Sequence, residues 1–484
     1  MENTIIYHEV DFLLPAQRFN INFTYITQKG FPFVREYVLR LVHLSPMTKS
    51  QISMFFGFSR NETEEAIDDL VDRGDLTLSP EGRLVLTDKA AAYFLDIGEV
   101  PRLSQLRDSG TCLTFDLATF TCLGKDISAD KWRNGIPVLV NDNNASQSEA
   151  LVEKNFQRQF QEILNKGLLS KSLEQEEKDV PSIYTVNSVN KIRQVPLRLG
   201  VKFAMDEGGR SVERDDFAVL KSSDYVQERI AVELDRLSRP NNFMEIAKAM
   251  LELGDSETIK LFDSKTSSLN LQFLADLTTL ERNDQNKRAS FVGPIYASAN
   301  WAMIQRHLAP FLKSRIESRA DVGHEPFVWV APSDPYWSKS SRLPVSISDF
   351  LKKASTNAKK LYSPTLYLPV SNKDDNRSAR QWKLELDPYV DDAHGLVEGF
   401  LGGNVEILTL KSELAVVVYH LSLPGIYPVT LPVGFISTES EFVASLERIV
   451  HEFISSTTSH ERPNDCGPIT RISGAARAST KILA

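Results

Sequence analysis

Chemistry in this chain would have to come from a small set of residues. His394, in the sequence DDAHGL, follows Asp391 and Asp392, and an imidazole beside carboxylates suits general acid/base work or metal ligation. His420 ends a β-type apolar run and reads either as a second base or as a strand-end core histidine. His307, His324, His451 and His460 have no partner at a useful spacing. The other chemistry on offer is cationic. Trp337 to Lys360 carries Lys339, Arg342, Lys352, Lys353, Lys359 and Lys360 against the single acid Asp349, inside a chain of net charge −9. A local inversion of that kind suits phosphate contacts; the alternative is a solvated helix face followed by a basic loop. Tyr336 and Trp337 offer rings that either stack a base or belong to the core. No Gly-x-Ser-x-Gly, dinucleotide fingerprint, Walker motif or His-Glu-x-x-His occurs, so none of those reactions is signalled.

The whole chain bounds these readings. Its 484 residues suit two to four domains, and 42% hydrophobic with 25% charged residues is ordinary for a globular protein. An acidic balance argues against a broad surface coating nucleic acid and leaves a local basic patch open. Three cysteines, Cys112, Cys122 and Cys466, make no disulfide framework and no zinc spacing. The first residues, MENTIIYHEVDFLLPAQRF, carry no basic leader, and no 18-residue apolar run occurs. The expectation is a cytoplasmic protein with no signal peptide, no membrane span, no metal and no cofactor.

The elements that must position the candidates are legible from periodicity. Val405 to Leu410, Leu414 to Tyr419 and Leu431 to Ile436 read as buried strands, and Ser437-Thr438 reads as the cap of an amphipathic helix through Phe453. Before them come the strands FVGPIYASA, PFVWVAP and SPTLYLPV, and a helix, NWAMIQRHLAPFLKSRIESR, interrupted at Pro310. Residues 223–282 are helical in pattern, ending in SLNLQFLADLTTLERN; 180–220 hold two strands separated at Lys191 and Arg193. Glu149 to Leu169 is a helix, Asn141 to Ser148 a polar loop, and GTCLTFDLATFTCLG a hairpin. Leu173 to Asp179 is a charged boundary, Gly208-Gly209 a turn, and residues 459–484 a flexible tail. The fold class is α/β in the sense of α+β overall, with domains expected at 1–95, 96–285 and 286–458.

Two resemblances follow. In residues 1–95 a helix spanning Phe33 to Val42, a helix capped by Thr48, a second capped by Ser59 and ending at Gly74, and two short strands about Ser79-Pro80-Glu81-Gly82 resemble the winged helix-turn-helix family. That family's second motif helix enters the major groove. Here Arg60 and Arg73 stand against Glu62, Glu64, Glu65, Asp68, Asp69 and Asp72, which favours protein docking over a duplex, while Lys49, Arg60 and Arg83 remain backbone contacts. The order of strands and helices over 286–458 resembles a phospholipase D-type domain. Its Asn-Leu-Ser segment corresponds to His420-Leu421-Ser422, and its catalytic His, Lys and Asp fall on Gly403, Val405 and Leu410, which supply neither nucleophile nor cation. The resemblances imply a degenerate, non-catalytic accessory subunit of a bacterial system acting on nucleic acid, antiphage defence included, that binds DNA and protein partners. The alternatives are a divergent phospholipase D-type nuclease or phosphodiesterase using His394 or His420, and a winged-helix transcription regulator.

Overall fold

The computed structural model describes residues 4–94, 100–127, 132, 134–169, 181–263, 265–275, 287–318, 323–357, 359–458 and 462–474. The chain is a mixed α/β protein and forms two compact units. The larger takes residues 1–15, 128–141 and 196–484, the smaller 16–127 and 142–195. The smaller unit runs across the boundary expected near 95, and the larger across the one expected near 285. Accordingly β1 (Ile5–Leu14) belongs to the larger unit and β2 (Ala16–Gly30) to the smaller, so residues 5–30 are strands that stand outside the helical motif that follows.

In the smaller unit β2 carries an insertion. After it come α1 (Phe33–Leu44), α2 (Lys49–Phe56) and α3 (Arg60–Asp72), then the hairpin β3 (Leu76–Leu78) and β4 (Leu84–Leu86) and the short α4 (Asp88–Ala91). Thr48 and Ser59 cap α2 and α3 as their sequence positions indicate, each in a reciprocal capping box with Gln51 and Glu62. Val38, Leu39, Val42, Ile52, Ile67 and Leu70 close a core of their own. The chain then returns as β5 (Arg102–Asp116), antiparallel to β2 from Gly30 opposite Arg102 to Ala16 opposite Asp116.

With β6 (Cys122–Gly124), and with β8 (Ser182–Gln194) on the far edge, the order of this sheet is β6-β5-β2-β8. Alternation puts Phe19, Ile21, Phe23 and Tyr25 on one face, and Phe23 meets Phe156 and Phe160 at ring distances of 5.2 and 5.7 Å. β8 runs on through Lys191 and Arg193, where the sequence suggested a break; exposed charges are tolerated on an edge strand. The presumed loop 141–148 is instead mostly helical, as α5 (Asp142–Ser146) leading into α6 (Ser148–Asn165), because the Asn144 amide donates to the Leu117 carbonyl and anchors a segment of poor intrinsic propensity.

The larger unit holds a small sheet, β7-β1-β9, with β7 (Ile136–Pro137) parallel to β1 and β9 (Leu197–Met205) antiparallel to it. Its main sheet has eight strands: β10 (Arg288–Val292), β11 (Pro326–Val330), β12 (Ser363–Val370), β13 (Ala393–Val397), β14 (Val405–Leu410), β15 (Leu414–Leu421), β16 (Leu431–Ser437) and, after the two-residue pair β17 (Thr457–Thr458) and β18 (Arg462–Pro463), β19 (Asp465–Pro468). The order is β10-β16-β15-β14-β11-β12-β13-β19, with β11, β12 and β13 parallel. Every residue of β14, β15 and β16 is buried, which is why these strands read as unbroken apolar runs.

Helices α7 (Asp224–Leu237), α8 (Phe243–Glu252), α9 (Ser298–Glu317), α10 (Leu343–Lys352), α11 (Asn376–Glu385), α12 (Ser440–Ser455) and α13 (Ile469–Gly474) complete the larger unit. Three expectations change here. α9 runs unbroken across Pro310. α12 starts after Glu439 with no side-chain cap, and Ser437 ends β16 opposite Ala415 with its hydroxyl accepting the Glu439 N–H at 3.2 Å. Residues 462–474, read as tail, supply the edge strand β19 and helix α13. The acidic segment 173–179, the end of the helix expected through 283, and residues 459–461 and 475–484 lie outside the described residues. Among the described residues no helix is long and apolar enough to cross a membrane.

The tightest backbone approach lies between the central strands. A Cβ on Gly434 would stand 2.4 Å from the Val417 carbonyl oxygen and 2.7 Å from a Val418 methyl. Gly434→Ala is expected to lower the unfolding free energy of this unit by about 3 kcal/mol, at the upper end of overpacking costs, read as a fall in thermal midpoint at unchanged far-ultraviolet dichroism.

Candidate functional site

The strand register assembles a polar cluster inside the main sheet. Glu406 stands opposite Val418, so His420, two residues further along β15, shares its face; Trp329 stands opposite Leu408 on the same face from the other side. Glu406 is fully buried. One of its oxygens accepts the indole N–H groups of Trp329 at 2.9 Å and Trp337 at 2.8 Å, and the other accepts His420 Nε2–H at 3.2 Å. On its far side His420 donates from Nδ1 to Asp334 at 2.7 Å, and Asp334 also accepts from the Thr430 hydroxyl at 2.7 Å and the Tyr336 backbone N–H at 3.0 Å. Burial alone would discharge the ring, but the hydrogen bonds to Asp334 and then Glu406 outweigh it and hold the His420 pKa at about 9. His420 is therefore an imidazolium at neutral pH with both nitrogens occupied, unable to act as base or nucleophile. His8, also buried, goes the other way: burial drives it down to about 4, against the pull of Asp334 and with the push of His420.

Asp334 and Trp337 also form the back of a cleft of about 600 Å³. The cleft lies at the carboxyl ends of the parallel strands, between Pro332 to Lys339 after β11, Pro369 in β12, Glu398 after β13 and the α11 side chains Trp382 and Glu385. Open α/β sheets bind ligands at that edge. Arg236, Arg239 and Lys339 face it. Lys339 is committed inside the fold, donating to Glu385 at 2.7 Å and to Asn134 at 2.9 Å.

Two of the three positions on which the phospholipase D-type resemblance places its reacting groups, Gly403 and Val405, lie beside this cleft, and Leu410 stands at the other end of β14, opposite Phe327. Gly403 has φ of +78°, a left-handed conformation, and a Cβ there would stand 3.3 Å from Ser333 Oγ. Gly403 and Val405 line a dimple of only about 10 Å³, walled by Pro332, Pro369, Leu396 and Phe400, and Leu410 is wholly buried.

The structure separates the residues singled out by sequence. His394, on β13, does not use Asp391 or Asp392; its Nδ1 meets Asp465 at 3.2 Å across the β13–β19 pair, at the sheet edge. Burial raises the Asp465 carboxyl, but its hydrogen bonds to His394 and the Gly467 N–H outweigh that and set it below its usual range. Tyr336 and Trp337 are buried, so neither offers a face to a base. The six cations of the basic stretch do not form one surface. Lys339 is internal, Lys359 donates to the Arg315 and Ser318 carbonyls, Lys353 shares Asp349, Arg342 lies 3.8 Å from Glu9, and Lys352 and Lys360 are exposed. In the smaller unit Lys49 pairs with Asp68, Arg60 with Glu64, and Arg83 is exposed. Among the described residues no group of three or more potential ligands is placed to hold a metal ion. Sequence reading missed Glu406 and Asp334; the available signal was a lone acid inside the apolar run VEILTL, which a buried sheet can hold only with partners.

No family model matches the chain, and no curated protein matches it. Among solved structures, phosphatidylserine synthase of Haemophilus influenzae Rd KW20 aligns with 49% of this chain at 8% identity and a TM-score of 0.21. The alignment spans 60% of that protein's length, and at this score it carries no argument about fold or activity.

The two buried histidines set a pH window for stability. His8 stays neutral when folded, so stability falls as pH drops from about 6.5, the usual histidine value, through about 4; His420 stays charged, so its contribution is complete below about 6.5 and is lost as pH rises through about 9. Each limb is on the order of 3 kcal/mol. Denaturant unfolding of the larger unit should be most resistant near pH 6.5, and His420→Gln should flatten the alkaline limb while leaving the acid limb in place.

Proposed function

We propose that the chain is a non-catalytic accessory subunit of a multi-protein system acting on nucleic acid, such as bacterial antiphage defence, and that it works by binding DNA and protein partners. The observation that supports this most directly is the ground around Gly403. Where phospholipase D-type chemistry would need an imidazole and an ammonium, there is a glycine in a conformation that disfavours a side chain, a buried valine and an almost closed dimple. His420, on the neighbouring strand β15, is consumed as a structural cation. Binding then falls to the exposed cations. Lys352 and Lys360 face solvent with Lys353 half-exposed beside them, and they are the groups through which phosphates would be met. The helix-turn-helix elements of the smaller unit serve protein contact on this reading, because Lys49 and Arg60 are already paired with acids of α3.

A second reading is kept alive by one observation. The His394–Asp465 pair is about one-third exposed on each side chain, with Tyr367 OH 3.4 Å from the carboxylate, which is the minimum equipment of a divergent phosphodiesterase.

A salt titration of binding to single- and double-stranded DNA tests both. The wild-type chain is expected to bind more weakly as salt rises, and Lys352→Glu with Lys353→Glu to lose roughly tenfold in affinity with a salt slope smaller by about two. No cleavage should appear in the same tubes, and His394→Ala should behave as wild type. Absence of binding at low salt would sink the nucleic-acid role; cleavage abolished by His394→Ala would establish the enzyme.

A further inference from the structure

The smaller unit contains a groove that the DNA reading leaves unused. Along α3, Glu62, Glu65, Ala66, Asp69, Leu70 and Arg73 follow one another at intervals of three and one, so they form one face of the helix. That face and the start of α1 bound a groove of about 600 Å³, with Pro32, Val34 and Phe58 opposite. The volume is within the range of functional pockets, roughly 300–1,000 Å³. Its floor is apolar, from Val34, Phe58, Ala66 and Leu70, and Phe33 and Tyr37 stand exposed nearby in a ring contact of 4.5 Å.

Charge at the lip is uneven. Arg73 is taken by Asp69 at 2.8 Å, and Arg35 turns inward to the fully buried Asp75 at 2.5 Å. Lys49 and Arg60 are spent on Asp68 and Glu64. Glu62 and Glu65 are exposed and, among the described residues, have no cationic partner. The hydrogen bond from the Ser59 N–H holds the Glu62 carboxyl below its usual range. A duplex would be repelled from this lip, and an acidic peptide would gain nothing from it.

We infer that the groove between α1 and α3 receives an amphipathic helix of a partner protein, its apolar residues on the floor and a flanking Lys or Arg at Glu62 and Glu65. This is the helix-in-groove mode of recognition, in which the burial of a few anchors gives affinity and the rim charges give orientation. The inference rests on the adaptor reading given above and names the chemistry of its partner.

The test uses the full chain and two synthetic peptides of about 16 residues, roughly 24 Å as helices, with leucines at helical spacing and either lysine or glutamate elsewhere. By fluorescence anisotropy the lysine peptide is expected to bind saturably, one per chain, and the glutamate peptide at least tenfold more weakly. Ala66→Trp, which fills the floor without altering charge, should cost at least tenfold. Glu62→Gln with Glu65→Gln, which keeps the α3 cap, should cost threefold to tenfold and flatten the salt dependence. If Ala66→Trp loses its native melt, Val34→Arg takes its place with the same expectation. Equal affinity for both peptides, no binding at low salt, or full binding to the filled groove overturns the inference. DNA binding is measured on the wild-type chain and on the same variants: DNA binding without peptide binding in the wild-type chain sinks the groove, and absence of DNA binding with peptide binding intact sinks only the nucleic-acid role.

Discussion

A carboxylate with no exposed surface sits in the middle of an eight-stranded sheet, and the larger unit is arranged around meeting its needs. Removing a charge from water costs several kcal/mol unless partners replace the water. Glu406 receives two indole N–H groups and an imidazolium, supplied by β11, the loop after it and β15. The imidazolium in turn needs Asp334, and Asp334 needs Thr430 and a backbone N–H. A one-residue slip of β14 against β11 or β15 would turn Glu406 to the opposite face and leave it, both indole N–H groups and His420 Nε2 unpartnered, so the cluster fixes register where uniform apolar strands would not.

That arrangement also decides what the neighbouring cleft can be. Its back wall is made of Asp334 and Trp337, both locked by the same hydrogen bonds. Lys339, which by type might have met an anion, is tied to Glu385 and Asn134. Asp334 and Lys339, which would be reactive in isolation, are thus committed to holding a shape.

What could be read from sequence follows the range of the forces involved. β14 to β16 were legible because each is buried on both faces and its composition alone carries the signal; α2 and α3 were legible because their caps are local, Thr48 with Gln51 and Ser59 with Glu62. The helix start near residue 437 misled because Ser437 still belongs to β16, a non-local pairing with Ala415 that the local pattern does not show, and the helix begins only at Ser440. The candidate site was much less legible. His394 was matched to the adjacent acids when its partner, Asp465, is brought next to it only by the last strand of the sheet. The basic stretch showed a charge count, whereas Lys339 is silenced by Glu385, a residue on another helix. Glu406 looked like one polar letter in an apolar run until the register brought His420 and two tryptophans to it.

The insertion at the end of the β2–β5 ladder has a mechanical side. Residues 31–101 leave and re-enter the sheet at Gly30 and Arg102, which face each other as neighbours in the ladder. A force applied to that segment through a bound partner would act on both strands at one point and would peel the ladder pair by pair from its tip. Each step would break few hydrogen bonds, in contrast to a pull along the strands that loads all of them together. The ladder would therefore yield gradually under tension, as a compliant leash.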